Sequence, residues 1–175
     1  MSGKIVGLVI LISALIAGGA LYYLQVYGFY QEVSAEVEEV RLIPLDGGAP
    51  VRILAENITA IDAESSPIRF RACFTTPSSL AMLTETYTGL DRAIPRNAPE
   101  WFECFDAAAI AAELKAGTAL AFVGEKNVDF GVDRIVAITH DGRGYIWHEL
   151  NDCGEKAYDG TIVGEECPKR PEPVE

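Results

Sequence analysis

The chain has 175 residues and a formal net charge of −12 at pH 7. All 26 acidic residues and 13 of the 14 basic ones follow Leu24, so the part after the apolar start carries about −13. Because nucleic acid phosphates carry charge of the same sign, this composition disfavours nucleic acid as a partner. The roughly 150 residues after the start are the usual size of one domain.

The first predicted element is an apolar helix. Residues 5–24 include no charged side chain, and at about 1.5 Å per residue they give roughly 30 Å, the thickness of a bilayer's hydrocarbon core. Lys4 precedes the segment, so we expect the N-terminus in the cytoplasm and the acidic domain to be exported. Residues 1–30 are thus predicted to be a single-pass anchor of the cytoplasmic membrane. Its aromatic belt is Tyr27, Phe29 and Tyr30.

Cleavage of this segment is the alternative. Ala17, Gly18, Gly19 and Ala20 are small enough for a signal peptidase site. Leu21 to Leu24 continue the apolar run beyond them, which favours retention.

Small side chains stand four residues apart in the predicted span. Ser13 and Ala17 form one such pair, and Ala14 and Gly18 form another. This spacing lets a second transmembrane helix approach closely and predicts a membrane protein partner. The alternative is that Ala and Gly are simply common in membrane helices.

Export would place the four cysteines in an oxidising compartment, where paired thiols persist as disulfides. Four cysteines allow three connectivities. We favour Cys73 with Cys104 and Cys153 with Cys167, because the second pair closes a short charged segment with little core of its own. The spacing contains no C-x-x-C and does not fit a structural zinc site.

The domain begins with extended segments. Residues 31–45 are predicted to be a juxtamembrane segment or a first strand, and residues 46–168 the exported domain, followed by a flexible tail at 169–175. Apolar residues predict strands near 51–61 and 68–74.

Two helices are predicted in the domain. Thr76 is expected to cap the first, which carries Leu80, Leu83 and Tyr87 on one face and ends at Gly89. A loop follows over residues 92–100. Asp106 is the predicted N-cap and Gly117 the C-terminal cap of the second helix.

The last predicted unit is a buried strand, TALAFVG, followed by a β-hairpin. A two-residue Asp141-Gly142 turn would pair residues whose numbers sum to 283. Arg134 would then face Glu149, Val136 would face Trp147, and Ile138 would face Tyr145.

In this register His140 and His148 point to opposite faces of the sheet, so they would not share a metal ion. We expect His140 to be a turn residue and His148 a hydrogen-bonded sheet residue.

Two further pairs are weak site candidates. Arg69 and Arg71 alternate with apolar residues and would clamp a small anion, although pairing with carboxylates is the stronger interpretation. Trp101 and Phe102, next to Pro99, would form a docking patch, although anchoring in the core is favoured. An acidic group around the last cysteine pair lacks the order of a calcium loop. Its members are Asp152, Glu155, Asp159, Glu165 and Glu166.

Three stretches carry a family resemblance. The span opening MSGK, the run APEWFECFDAAAI and the tail pattern DGRGYIWHEL…CGE…YDG…CP resemble an uncharacterised family of small single-span envelope proteins of Gram-negative, alphaproteobacterial type. The resemblance implies an anchor and an exported domain, and it implies no activity, cofactor or catalytic residue.

The sequence therefore predicts an α+β protein in which one transmembrane helix precedes a small antiparallel-sheet domain with about two helices, stapled by disulfides. We expect a non-enzymatic accessory, assembly or scaffolding subunit of a membrane complex, without a metal or cofactor. The alternative is an extracytoplasmic small-anion-binding or sensing module read by a membrane partner. A hydrolase ranks last, because no nucleophile and base can be paired from the sequence.

Overall fold

The computed structural model describes residues 3–33, 40–165 and 167–169. An apolar helix, α1 (Gly3–Tyr23), continues into a π-helical turn at Leu24–Gly28, and none of its described residues is buried. By length and composition the helix can cross a membrane, a property that signal sequences share.

The domain is built on a seven-stranded sheet in which every neighbouring pair is antiparallel. The spatial order is β1-β4-β5-β9-β8-β7-β6, and a separate pair, β2-β3, is also antiparallel. The strands are β1 Gln31–Val33, β2 Arg41–Leu42, β3 Val51–Arg52, β4 Glu56–Asp62, β5 Arg71–Thr75, β6 Gly89–Leu90, β7 Ala119–Asp129, β8 Val132–Thr139 and β9 Arg143–Leu150. The predicted α+β class is confirmed.

Both faces of the large sheet are covered. One apolar cluster joins Phe70, Ala72 and Phe74 to residues from the small sheet and from the helix α2 (Leu80–Thr86). A second cluster on the other face contains Trp147 and packs under the helix α3 (Ala107–Ala116) and the loop before it. Because layers lie on both sides, the central strand β5 is buried at four of its five positions.

Local capping residues explain the bounds of the two domain helices. Asp106 accepts hydrogen bonds from the amides of Ala108 and Ala109, at 2.9 and 3.1 Å, and Gly117 ends α3 with a φ of 73°, as predicted. The predicted cap of α2 is wrong. Ser79 caps that helix through Met82 N, while Thr76 still belongs to the extended chain and donates its amide to Gly142 O.

The second helix also ends earlier than predicted. Its last residue is Thr86, whose hydroxyl donates back to Met82 O at 2.8 Å. Tyr87 is already extended and bridges to Pro44, so Gly89 lies in strand β6 and does not end the helix.

The predicted hairpin is present, but its register is shifted by one residue. Arg134 lies opposite His148, Val136 opposite Ile146 and Ile138 opposite Gly144. The turn has three residues, His140 to Gly142, and Gly142 has a φ of 81°. A residue in this left-handed region commonly closes a three-residue hairpin loop. A Cβ at Gly142 would lie 2.5 Å from Thr76 O, so glycine is also required by close packing.

The remaining predicted extended segments differ in length. The run at 51–61 divides into β3 and β4, and β7 continues five residues beyond the predicted TALAFVG through two irregularities in its pairing with β8. Within the predicted juxtamembrane segment, Gln31–Val33 forms the edge strand β1, and residues 34–39 lie outside the described part.

Both predicted disulfides are confirmed: Cys73–Cys104 and Cys153–Cys167. The first joins β5 to the loop before α3. The second closes the mostly exposed C-terminal segment.

Candidate functional site

The most distinctive local arrangement is the junction between the apolar helix and the domain. After the π-helical turn, Phe29 N donates to Leu24 O and Tyr30 N donates to Tyr27 O. The chain then enters the large sheet directly as β1, with Glu32 opposite Ile61. The helix therefore joins the sheet through only two residues.

Trp101 fastens the helix end to the domain. Carbonyls at a helix C-terminus lack intrahelical donors, and the indole Nε1 of Trp101 donates to one of them, Val26 O, at 2.7 Å. The Trp101 ring also meets Tyr30 edge to face, with 6.2 Å between centroids. The predicted docking pair is therefore divided: Trp101 packs on the end of the apolar helix, and Phe102 lies in the core.

Arg71 holds the loop that carries Trp101. Its side chain is 4 % exposed, and its Nε and Nη2 donate to the carbonyls of Arg96 and Asn97 at 2.9 and 3.1 Å. Nη1 donates to the carbonyls of Ile68 and Phe70. Burial, and then the nearby Arg96, lower the pKa of Arg71 to about 10, while Tyr30 and Asp62 oppose the shift. The guanidinium donates to four backbone carbonyls, so its donors are used within the fold, and it forms no ion pair with a carboxylate of the described residues.

Arg69 lies outside β5, not on one strand face with Arg71 as predicted. Its guanidinium carbon stands 5.5 Å from the centroid of the Tyr30 ring. Together with Arg96 and the helix end it lines an open groove of about 460 Å³, which we call the basic groove. Its wall residues are Gln25, Val26 and Tyr30 from the end of the apolar helix, and Ser66, Ile68, Arg69, Arg71 and Arg96 from the domain.

The two histidines are far apart, for a reason other than the predicted one. His148 lies opposite Arg134, so its position is in phase with His140 and not on the opposite face. His140 is in the exposed turn, six residues beyond Arg134, or about 20 Å along the strand. A single metal ion cannot bind both.

His148 is committed to structural contacts. Its Nδ1 lies 2.7 Å from Pro67 O, its Nε2 accepts from Arg134 Nε at 3.1 Å, and its ring stacks on Phe70. These partners require a neutral ring with the proton on Nδ1. Burial lowers the pKa of His148 to about 4.

The other candidates remain separate from the junction. Ser13, Ala14, Ala17 and Gly18 are exposed on α1, and a Cβ at Gly18 would meet nothing within 4 Å. In the C-terminal segment Glu165 pairs with Lys126, and Glu166 lies outside the described residues. Across residues 3–33, 40–165 and 167–169, no group of three or more His, Cys, Asp or Glu side chains is placed to hold a metal ion.

Sequence reasoning missed the parts of the junction that depend on distant residues. Val26 contributes a backbone carbonyl, which has no sequence signature, and Arg96 stands in a loop whose position is set by Arg71. The nearest signal was the Trp101-Phe102 pair beside Pro99, which marked the loop but not its partner.

The domain just described coincides with a known family. Residues 40–168 match the profile of a family of unknown function, DUF6446. The chain belongs to this family. The DUF6446 match begins at Val40, so α1 and β1 precede it, and it ends just after Cys167. No curated protein and no solved structure matches the chain. Membership of a family of unknown function is thus established.

Proposed function

We propose that this DUF6446 protein is a non-enzymatic, membrane-anchored envelope protein, an accessory, assembly or scaffolding subunit of a membrane complex. In this proposal α1 is retained as a single span, the N-terminus is cytoplasmic and the domain is periplasmic. The two disulfides support an oxidising compartment, since such bonds rarely persist in the cytoplasm.

The observation that carries the proposal is the fixed junction. Trp101 bonds to Val26 O, and β1 pairs with β4 immediately after the helix. A span that is fastened to its domain in this way keeps the domain at a defined height and orientation over the membrane. Such an arrangement suits a subunit that contacts one partner through its helix and its domain together, and a flexible tether would not need it.

The exposed small residues of α1 provide a surface for the partner helix. Ala14 and Gly18 share one helix face, and Ile16 lies about 200° around the helix from Ala14. No described residue of α1 is buried by the protein's own domain. A partner helix can therefore pack on the small-residue face without displacing anything.

The test is recovery of the partner with the span intact. The full chain is cross-linked in native membranes, extracted in mild detergent and purified, in parallel with Gly18→Leu and the control Ile16→Leu. We expect a stable membrane partner with the wild-type chain and the control, and its loss with Gly18→Leu. A lone monomer in all three samples would contradict the proposal.

A second candidate is an extracytoplasmic module that binds a small anion and is read by a membrane partner. The observation that favours it is the concentration of arginines at the basic groove in a chain with a net charge of −12. Because Arg71 is bonded to carbonyls, Arg69 and Arg96 would provide the contacts. A rise in the unfolding temperature of the full chain with a soluble anion would support it, since a ligand that binds only the folded state stabilises it.

A further inference from the structure

We propose that the basic groove binds the phosphate of a membrane phospholipid headgroup between Arg69 and Arg96. This inference rests on the proposed membrane anchor, and it names the anion and its source.

With α1 across the bilayer, the basic groove lies at the depth of the lipid headgroups. The uncharged residues 5–24 occupy about 30 Å of helix, which fills the hydrocarbon core, and the headgroup layers add about 5 to 7 Å on each side. Gln25 and Val26 form the helix side of the groove immediately after this stretch. The groove therefore opens at the level of the lipid phosphates and not into the solvent above them.

The basic groove is rich in positive charge, with three arginines in its wall. Arg69 is half-buried and Arg96 is exposed, and neither forms an ion pair with another described residue. Burial lowers the pKa of Arg71 most, and Arg96 and Arg69 lower it further, while Tyr30 and Asp62 raise it. The basic groove thus brings three arginines together, and Arg69 and Arg96 repel the charge of Arg71. A phosphate would relieve this repulsion through charge-assisted hydrogen bonds.

The shape of the basic groove and the position of Arg69 suit a phosphate group. Arg69 is held over the Tyr30 ring, which restricts its side chain before any ligand arrives. A guanidinium presents a planar set of donors that matches phosphate oxygens. The volume of about 460 Å³ accommodates a phosphodiester with part of its glycerol group.

A lipid bound in the basic groove would orient the otherwise acidic domain toward the membrane. An overall negative surface is repelled by anionic lipids, so a basic groove at the helix end would turn one side of the domain toward the membrane. The headgroup would then reinforce the orientation that Trp101 and β1 establish.

The experiment compares two variants with the same change in net charge. Arg69→Gln/Arg96→Gln removes the proposed contacts, and Arg52→Gln/Lys115→Gln removes two exposed charges outside the groove. Each full-length chain is reconstituted in nanodiscs of phosphatidylcholine with phosphatidylglycerol, and the lipids retained after release are counted by native mass spectrometry. A thermal-unfolding curve for each chain verifies folding.

We expect one retained phospholipid on the wild-type chain and the control, and an occupancy at least tenfold lower on Arg69→Gln/Arg96→Gln. Equal lipid retention by folded chains of all three kinds would overturn the proposal. A parallel titration uses inorganic phosphate and glycerol phosphate in detergent without phospholipid. Saturation by either, together with no lipid retention, would assign the site to a soluble anion and also overturn it. Partner recovery through Gly18 is independent of these outcomes, so failure of the proposed function is distinguishable.

Discussion

The indole of Trp101 donates a hydrogen bond to the carbonyl of Val26, 75 positions earlier in the chain. One partner is the end of an apolar helix and the other lies in a loop of the domain. The loop is itself held by Arg71 and by the disulfide Cys73–Cys104. The contact thus joins the apolar helix to a loop that is tied to strand β5.

Removing this donor should loosen the junction and leave the domain folded. Trp101→Phe keeps an aromatic ring beside Tyr30 but leaves Val26 O without the indole. A net hydrogen bond contributes about 1 kcal/mol, so we expect roughly fivefold faster amide hydrogen exchange in residues 24–33. Exchange in β8 and β9 is the internal control. Unchanged exchange at residues 24–33 would show that the bond does not hold the helix end.

Loss of the Arg71 side chain should destabilise the whole domain. Arg71→Met leaves four carbonyl groups without their guanidinium donors, and we expect a loss of about 3 kcal/mol or more in the free energy of unfolding. Arg71→Lys should recover little, because one ammonium group cannot reach acceptors on both sides of the fork. Urea unfolding of the full chain in mild detergent measures this.

The exposed Arg52 provides the matched control for that series. Arg52→Met should change the free energy of unfolding by less than about 0.5 kcal/mol. An Arg71→Met chain as stable as the Arg52→Met chain would be inconsistent with the structural role assigned to Arg71.

The two disulfides should differ in what they stabilise. Cys73–Cys104 closes a 31-residue separation between β5 and the loop before α3, so its replacement by alanines should cost about 3 to 4 kcal/mol of global stability. Cys153–Cys167 closes a mostly exposed segment that can open while the sheet remains folded. Its replacement should expose that segment to protease with little change in the main unfolding transition. Equal shifts of that transition would refute the distinction.

The buried His148 should make stability depend on pH. The pKa of His148 in the folded state is about 4, below the ordinary histidine value of 6.5, so the unfolded state binds a proton first as the pH falls. The stabilisation from the neutral His148 side chain is therefore fully present above pH 6.5. As the pH falls toward 4, the free energy of unfolding decreases by about 3 kcal/mol. His148→Gln should remove this component from the pH dependence of urea unfolding between pH 7 and 4.

His140→Gln serves as the comparison, because His140 is exposed in the turn. It should retain the wild-type slope, while His148→Gln should show a shallower one. Identical slopes for all three chains would mean that the buried imidazole does not couple to folding.

Features decided by adjacent residues could be predicted from the sequence. Asp106 and Gly117 act within one helical turn, so the bounds of α3 were predicted correctly. The hairpin was predicted but its register was not, because loop length depends on contacts around Gly142, including the carbonyl of Thr76. Because the register is shifted by one residue, His148 lies opposite Arg134 and not opposite Ile135, its predicted partner.

Features decided by packing between layers were not predictable. Alternation along 68–74 indicated that Arg69 and Arg71 share one strand face and pair with carboxylates, yet coverage of both faces buries Arg71 and directs it to backbone carbonyls. No sequence pattern marks the junction, because Val26 and Arg96 are distant in the chain. They line the same groove only once the domain has folded.

We propose that a retained anchor and the domain form one fixed unit at the membrane surface. Distance measurement between spin labels in nanodiscs tests it most directly, with one label at Leu21→Cys on the anchor and one at Lys115→Cys on α3, since the native cysteines are bonded in disulfides. We predict a single narrow distance distribution. A broad distribution, or a mature chain that has lost the label at position 21, would contradict the account.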